Sequence, residues 1–305
     1  MPAKRLRQCL PVMFVISLLM LSAVHAGEKP QAHPLNGKIR DVAQQRFIDR
    51  AALTRQLQGV EYLLLGEKHD NPEHHRHQVW YFEQLARYHD RVSVAFEMID
   101  QQQGEALRQQ RFDSADELIR LLDQHPSGWK YTTYYRDLFV TAIDNGFAIK
   151  AANMNRRHLR EVIRSDERID PTFQRLLDTT PWSNAQNTAL KHNIEESHCN
   201  MLDTKTVEMM VRAQRLRDAV MARAMLSSDQ PVRVLIAGNG HVRNDRGVPV
   251  YLDPDSTILS VGFIEVDPER RRTDEYSLPF DIAWFTSPVE REAPCEAFQR
   301  QQSAQ

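Results

Sequence analysis

The chain has 305 residues, 41% of them hydrophobic, and carries 39 basic and 41 acidic side chains. This length and apolar content suffice for one large α/β domain with its own core. The nearly balanced charge argues against a nucleic-acid-binding protein, which normally carries a clustered basic face.

The first 26 residues have the pattern of a cleaved secretory signal peptide. Lys4, Arg5 and Arg7 precede an apolar stretch at residues 12–21, and small residues at 24–26 form a cleavage site. The apolar stretch is too short for a stable membrane anchor. Cleavage would leave 36 basic and 41 acidic side chains, a net charge of −5. The mature chain is therefore expected to be exported and periplasmic, with no transmembrane anchor and no nucleic-acid partner.

The domain organisation is predicted as a signal peptide at residues 1–26, a single α/β domain at 27–294 and a polar C-terminal tail at 295–305. The tail is expected to fray. Two cysteines, Cys199 and Cys295, remain after cleavage. In an oxidising compartment they can pair or stay reduced, and the sequence leaves both states open.

Apolar runs alternate with helical periodicity along the mature chain. This alternation predicts an α/β fold with a mainly parallel central sheet flanked by helices. The predicted strands are residues 62–65, 92–96, 147–152, 232–237, 258–266 and 280–285, and the predicted helices are residues 41–58, a helix from 72, 101–125, most of 156–200 and 204–226.

The apolar strand at residues 62–65 leads directly into a polar cluster. Glu67 and His69 follow it, and Asn71 and Pro72 are the types expected at a helix N-cap and first helical position. Ligands of parallel sheets bind beyond the carboxyl ends of such strands. A solvated helix start with a chance run of histidines is the alternative, but it does not explain why Glu67 and His69 stand where buried backbone first meets open space.

Three further predicted strands also end in polar side chains. Glu97 ends the second strand, Asn153 and Arg156 follow the third, and His241 and Arg243 follow the fourth. If these strands are parallel neighbours, their polar ends converge on one rim of the sheet. His69 and His241, each preceded by a buried strand and a glycine, are therefore predicted to share one site.

Two other histidine positions have more than one interpretation. His75 lies one turn before Val79 and Phe82, so it is expected to point towards the strand ends. A core-edge histidine bonded to a backbone carbonyl is an equally good interpretation. His192 and Glu196 are also one turn apart, but this pattern is weaker than a zinc-binding H-E-x-x-H motif and fits a solvated helix end better.

These motifs together resemble a known family. Residues 66–69 and 238–241 both read G-x-x-H, the paired signature of TIKI/TraB-like proteins, and the chain resembles the ChaN branch more closely. The resemblance spans roughly residues 40–265. It implies an exported haem-binding protein of iron uptake, with a fold shared with erythromycin esterases and TIKI metalloproteases. The other motifs that carry it are residues 70–72, 74–75, 96–98 and 214–222.

The resemblance implies haem held between two subunits, with tyrosine or histidine as the iron ligand, and hence a homodimer. The resemblance does not identify which tyrosine would be the iron ligand. The chain departs from the often lipidated family in lacking a lipidation cysteine. Arg156 and Arg243 follow two of the predicted strands, so their positions make them candidates to pair with the haem propionates. The predicted cofactor-binding residues are His69, His75, Asn153, Arg156, His241 and Arg243, and the candidate tyrosines are Tyr131, Tyr134 and Tyr135.

The alternative function is a hydrolase, as the esterase and protease cousins imply. In that case Glu67, His69, Glu97 and His241 are the catalytic residues, acting as general acid and base. A divalent metal ion that activates water would be held by Glu67, His69 and His241. A merely structural rim is the third interpretation.

Overall fold

One eight-stranded sheet organises the structure, a computed structural model that describes residues 32–125, 127–165, 169–180, 182–293, 295, 296 and 300. The predicted signal peptide and most of the polar tail lie outside these residues and stay predictions. The elements all belong to one unit that begins at His33.

The strands and helices alternate through most of the chain. The strands are β1 (Ile39–Asp41), β2 (Arg46–Ile48), β3 (Tyr62–Glu67), β4 (Val92–Asp100), β5 (Ala148–Asn153), β6 (Val232–Gly238), β7 (Ile258–Glu265) and β8 (Ile282–Thr286). The α-helices are α1 (Arg50–Leu57), α2 (Pro72–Tyr88), α3 (Gln101–Gln109), α4 (Ala115–Asp123), α5 (Tyr131–Tyr134), α6 (Arg136–Asp144), α7 (Arg156–Ser165), α8 (Pro171–Thr179), α9 (Asn184–Ser197) and α10 (Thr204–Leu226).

The strand order is β2-β1-β8-β7-β3-β6-β4-β5. The six strands from β8 to β5 are parallel, and only β1 runs antiparallel to its neighbours β8 and β2. The prediction of an α/β fold with a mainly parallel central sheet is therefore confirmed. Every residue of β3 is buried, as expected for a strand covered on both faces.

Helices cover both faces of the sheet. Leu63 and Leu65 of β3 pack in a core with α2 and α6, whereas Leu64, which points the opposite way, packs in a second core with α10. Side chains alternate between the faces along a strand. The carboxyl edge of the sheet is therefore where side chains from the two faces can meet.

Two predicted helices are wrong in part. Residues 41–58 contain the last residue of β1 and all of β2 before α1. Three-residue strands are too short to show a period of two. Residues 101–125 form α3 and α4 rather than one helix. The break has a local cause, since the Ser114 side chain accepts a hydrogen bond from the Glu117 N–H and caps a new helix.

Cys199 and Cys295 form a disulfide across a sequence separation of 96 residues. Cys199 and Asn200 both have positive φ, in the turn between α9 and α10. The bridge fixes the C-terminal segment to that turn. Among the described residues, no helix is both long enough and apolar enough to cross a membrane.

Gly66 of β3 is sterically required. A Cβ there would lie 2.4 Å from Asn239 Oδ1, 2.5 Å from Val242 Cγ2 and 3.1 Å from the Val261 carbonyl oxygen. We expect Gly66→Ala to lower the free energy of unfolding by about 2 to 3 kcal/mol, the cost of overpacking a filled core. Chemical denaturation measures this loss. Gly59→Ala, where a Cβ meets nothing within 4 Å, is the control, and equal losses in both variants would show that crowding is not the cause.

Candidate functional site

Four neighbouring strands deliver polar side chains to the carboxyl edge of the sheet. β3, β6, β4 and β5 are adjacent and parallel, so their carboxyl ends meet at one edge. β3 ends in Glu67, β5 ends in Asn153, Glu97 lies near the end of β4, and His241 follows β6.

The turn between β3 and α2 is held by its own side chains. Asn71 accepts a hydrogen bond from the Glu73 N–H, and Pro72 occupies the first helical turn, as predicted. His74 Nδ1 accepts a hydrogen bond from the Lys68 N–H at 3.0 Å. Burial lowers the pKa of His74 to about 4, so this imidazole is neutral. His74 thus fixes the loop that carries His69.

Glu67 is buried on the α2 side of the sheet. Its Oε1 accepts hydrogen bonds from His69 Nδ1 at 2.8 Å and from the Tyr135 hydroxyl at 2.7 Å. Its Oε2 accepts one from Gln78 Nε2 at 2.8 Å and lies 3.3 Å from His75 Nε2. Burial opposes ionisation, but the bonds from the two histidines prevail and hold the pKa of Glu67 well below its usual value. The site therefore contains a permanent buried carboxylate.

His69 lies between the two carboxylates Glu67 and Glu97. Its Nδ1 bonds to Glu67, and its Nε2 lies 3.8 Å from Glu97 Oε2. Its ring packs edge-on against Trp129 at 4.7 Å, and its side chain is 35% exposed. Burial lowers the pKa, but the bond to Glu67 and the charge of Glu97 raise the pKa of His69 overall, to about 8. His69 is thus the protonated, accessible imidazole of the site.

An irregularity in β4 places Glu97. The pairing of β4 with β5 shifts register between Phe96 and Asp100. Such irregularities redirect side chains near active sites. The Glu97 carboxylate accepts the Gly238 N–H at 2.7 Å, and its backbone carbonyl accepts a hydrogen bond from Asn153 Nδ2 at 2.9 Å. Asn153 therefore positions Glu97 through its backbone.

His241 occupies the α10 side of the same carboxylate. Its Nε2 lies 3.6 Å from Glu97 Oε1, and its Nδ1 lies 2.6 Å from Asp218 Oδ1 and 3.0 Å from Gln214 Nε2. Burial lowers the pKa of His241, but the charges of Glu97 and Asp218 raise it overall. Burial raises the pKa of Asp218 to about 6 although His241 opposes this.

The centre of the site is thus one carboxylate between two carboxylate–histidine pairs. Glu67 holds His69 and Asp218 holds His241 through Nδ1, and both imidazoles present Nε2 to Glu97. A carboxylate on Nδ1 fixes the tautomer and orientation of a histidine and stabilises its protonated form. This arrangement fixes two imidazoles on either side of Glu97, each held by its own carboxylate.

A cavity of about 640 Å³ opens beside this centre. Trp129, Met98 and Met154 contribute apolar surface, and Arg156 and Arg157 from the start of α7 contribute charge. Its size lies within the range of small-molecule and cofactor sites. Glu97 and Asn153 also line its wall.

Several of the predicted binding residues do not line this cavity or already contact another side chain. Arg243 forms a two-bond ion pair with Asp245 at 2.8 and 2.6 Å and does not line the cavity. His75 is buried between Glu67 and the rings of Tyr134 and Tyr135. Among the described residues, no group of three or more metal-ligating side chains could hold a metal ion, Glu67, His69 and His241 included.

The three candidate tyrosines differ in availability. The buried Tyr131 hydroxyl donates to the Met98 carbonyl at 2.7 Å, and the buried Tyr135 hydroxyl donates to Glu67. Burial and the charge of Glu67 raise the pKa of Tyr135, so it remains a phenol. Tyr134 is partly exposed, which leaves it as the accessible one of the three.

Three contributors to the site have roles that the sequence does not predict. Asp218 and Gln78 have no predicted role, and Tyr135 is predicted only as a candidate haem ligand, not as a hydrogen-bond donor to Glu67. The spacing of Gln214 and Asp218, four residues apart on one helical face, was the available signal. An acidic side chain among apolar neighbours in α10 needs a buried partner, and His241 is that partner.

Comparison with known proteins gives one family match. The model of the family described as "Haem-binding uptake, Tiki superfamily, ChaN" matches residues 53–252. No curated protein matches the chain.

Among solved structures, "Cofacial heme binding to ChaN of Campylobacter jejuni" superimposes with a TM-score of 0.64 and 22% identity, covering 81% of this chain and 95% of that chain. This likeness supports the fold alone. Two further solved structures are more distant. A type III effector superimposes with a TM-score of 0.42 and 13% identity, covering 78% of this chain and 92% of that chain. An erythromycin esterase in its open conformation superimposes with a TM-score of 0.42 and 15% identity, covering 88% of this chain and 86% of that chain.

Proposed function

Because the chain belongs to the family described as haem-binding uptake, Tiki superfamily, ChaN, we propose that it binds haem at the carboxyl edge of its sheet. The observation that carries this proposal is the cavity beside His69. When bound, haem supplies an iron that takes histidine or tyrosine as an axial ligand.

The residues around the cavity fit such a group. Trp129, Met98 and Met154 offer apolar surface for a flat macrocycle, and Arg156 offers charge for a propionate. His69 is partly exposed and lies next to the cavity, because it packs against Trp129 and lies 3.8 Å from Glu97, two residues of the cavity wall. His158 is the histidine of the wall itself. Arg243, engaged by Asp245, is no longer a good candidate for a propionate partner.

We also propose export to the periplasm, a role in iron or haem uptake and a homodimer as the haem-binding form. The signal-peptide pattern at residues 1–26 supports export, and an intact mass beginning at Gly27 tests it. The family resemblance, which implies haem held between two subunits, supports the dimer. Sedimentation with and without hemin tests whether two copies assemble.

Titration of the purified protein with hemin tests haem binding. We expect a saturable Soret shift in the wild type. His69→Ala is expected to weaken hemin affinity at least about 10-fold, equivalent to about 1.4 kcal/mol, because it removes the partly exposed imidazole that packs on Trp129 beside the cavity. Absorbance in the Soret region measures both the shift and the affinity.

His192→Ala is the matched control, because His192 is a 66% exposed histidine on α9 paired only with Glu196 within the described residues. Exposed histidines bind hemin weakly and without specificity. If His192→Ala lowers the affinity as much as His69→Ala, the binding is adventitious. No saturable shift in the wild type would end the proposal.

A second function, acid–base hydrolysis, is favoured by a different observation, the two carboxylate–histidine pairs that flank Glu97. His69, with its pKa raised to about 8 by Glu67 and Glu97 against the effect of burial, suits a general acid near neutral pH. Glu97 suits the base. This version needs no metal ion.

An esterase and peptidase panel on the wild type and Glu97→Gln tests this second function. Glutamine keeps an acceptor for the Gly238 N–H but removes the charge between the histidines. We expect any activity to fall at least about 100-fold, the usual contribution of a general acid or base. Activity that survives in Glu97→Gln would assign the chemistry to other residues. Metal analysis after gentle purification accompanies the panel.

A further inference from the structure

Among the described residues, His158 is the one histidine that lines the cavity. It lies in the first turn of α7, and its side chain is 58% exposed. Leu159 and Val162 of the same helix are buried in an apolar cluster with side chains of α8 and α10. This packing fixes the helix on the body of the protein, so His158 meets the cavity from a rigid element.

The start of α7 is also fixed to the sheet. The Asn155 side chain accepts a hydrogen bond from the Arg157 N–H at 2.9 Å and thereby caps the helix. The Asn155 Nδ2 lies 3.4 Å from Asp100 Oδ2, at the end of β4. The backbone that carries His158 is therefore held beside the strand ends of the site.

Glu161 lies one helical turn after His158 and lines the same cavity. Its Oε2 lies 4.0 Å from His158 Nδ1. A carboxylate near one ring nitrogen of a histidine favours one tautomer and makes the other nitrogen a better metal ligand. The His158 Nε2 forms no hydrogen bond or ion pair with the described residues. It is therefore the nitrogen that can bind a metal ion in the cavity.

The other candidate ligands fit this cavity less well. None of the described tyrosines lines it, the three candidate tyrosines included. Met98 and Met154 line the wall, but both side chains are buried. His69 lies beside the cavity with both ring nitrogens facing carboxylates, since Nδ1 bonds to Glu67 at 2.8 Å and Nε2 lies 3.8 Å from Glu97.

We propose that His158 binds the haem iron as its axial ligand through Nε2. This deepens the proposed function and rests on it for the identity of the ligand. Imidazole nitrogen is a common axial ligand of haem iron. In this assignment His158 holds the iron from α7, and Trp129 offers its ring to the macrocycle. His69 packs against Trp129 and supports the wall without binding the iron.

Absorption and electron paramagnetic resonance spectra of the ferric haem complex test the assignment. His158→Tyr replaces the imidazole by a phenol and is expected to change both spectra to those of a tyrosine-ligated haem. His158→Ala is expected to weaken hemin affinity at least about 10-fold, equivalent to about 1.4 kcal/mol, and to alter both spectra. His69→Ala is expected to weaken hemin without altering the spectra, because the iron keeps its ligand.

His192 on α9 is the matched control. It is also an exposed helical histidine with a glutamate one turn later, Glu196. His192→Tyr and His192→Ala are expected to keep the affinity and the spectra of the wild type. Because His158 and His192 are both exposed, none of these substitutions disturbs the core.

The outcomes separate the iron ligand from the proposed function. If His158→Ala keeps the wild-type spectra, the assignment is overturned, even where the affinity falls, and haem binding stands. A spectral change in His192→Tyr equal to that in His158→Tyr would show adventitious binding by exposed histidines and also overturns it. No saturable Soret shift in the wild type overturns haem binding and the ligand together.

Discussion

Replacing Glu67 with alanine is expected to lower the free energy of unfolding by about 4 kcal/mol, within the range for breaking a buried ion pair. The carboxylate accepts hydrogen bonds from His69, Tyr135 and Gln78. Alanine leaves these donors without an acceptor, and an unmade buried hydrogen bond costs more than a made one contributes. Urea unfolding followed by circular dichroism measures the loss.

Two variants bracket this result. Glu67→Gln keeps an acceptor oxygen but loses the charge, so its stability is expected to lie between those of the wild type and Glu67→Ala. Glu83→Ala, at an exposed position of α2, is the control and should change stability by no more than about 0.5 kcal/mol. A Glu67→Ala protein as stable as the Glu83→Ala control would contradict the assigned role of the carboxylate.

His241→Ala is expected to cost about 3 to 5 kcal/mol at pH 8, because it removes the cation that lies between the buried carboxylates of Asp218 and Glu97. Burial already raises the pKa of Asp218 to about 6, and loss of His241, which opposes that rise, moves the pKa higher. As the pH falls through this folded-state pKa the carboxyl takes up a proton, and the penalty shrinks until the pH reaches the unfolded value near 3.9. Unfolding measurements at pH 5 and pH 8 test this difference.

The double variant Asp218→Asn, His241→Ala tests whether the two side chains stabilise the protein as a unit. Removing the charge of Asp218 in the His241→Ala background is expected to recover part of the loss at pH 8, so the two changes are not additive. Strict additivity, or the same loss at both pH values, would show that the two side chains do not act as a unit.

The sequence predicted the central fold well because its strands are buried on both faces and read as continuous apolar runs. α10 occupies residues 204–226, as its periodicity indicated. β1 and β2 carry no such signal in three residues each, and β1 pairs with β8 at the other end of the chain, Ile39 opposite Trp284. Such long-range pairing leaves no local trace.

The candidate site was visible only where its residues follow a local pattern. His69 and His241 each follow a strand and a glycine, yet their side chains are 35% and 8% exposed, a difference that the pattern cannot reveal. Asp218 lies 23 residues from His241, and Tyr135 lies 68 residues from Glu67. These contacts depend on how whole helices pack on the sheet, which short motifs do not specify.

The central place of β3 also determines when the site can form. Tyr62 pairs with Arg233 on one side and Ile258 on the other, so both neighbours of β3 come from the last third of the chain. Closing long loops before their contacts form slows folding, and parallel strands paired across such distances are among the slowest elements to assemble. A nascent chain that has not yet reached β6 therefore has Glu67 and His69 without the strand that places His241 in their site. Ligand binding then belongs to the last stage of folding, and hemin added to a refolding chain reports its completion rather than its beginning.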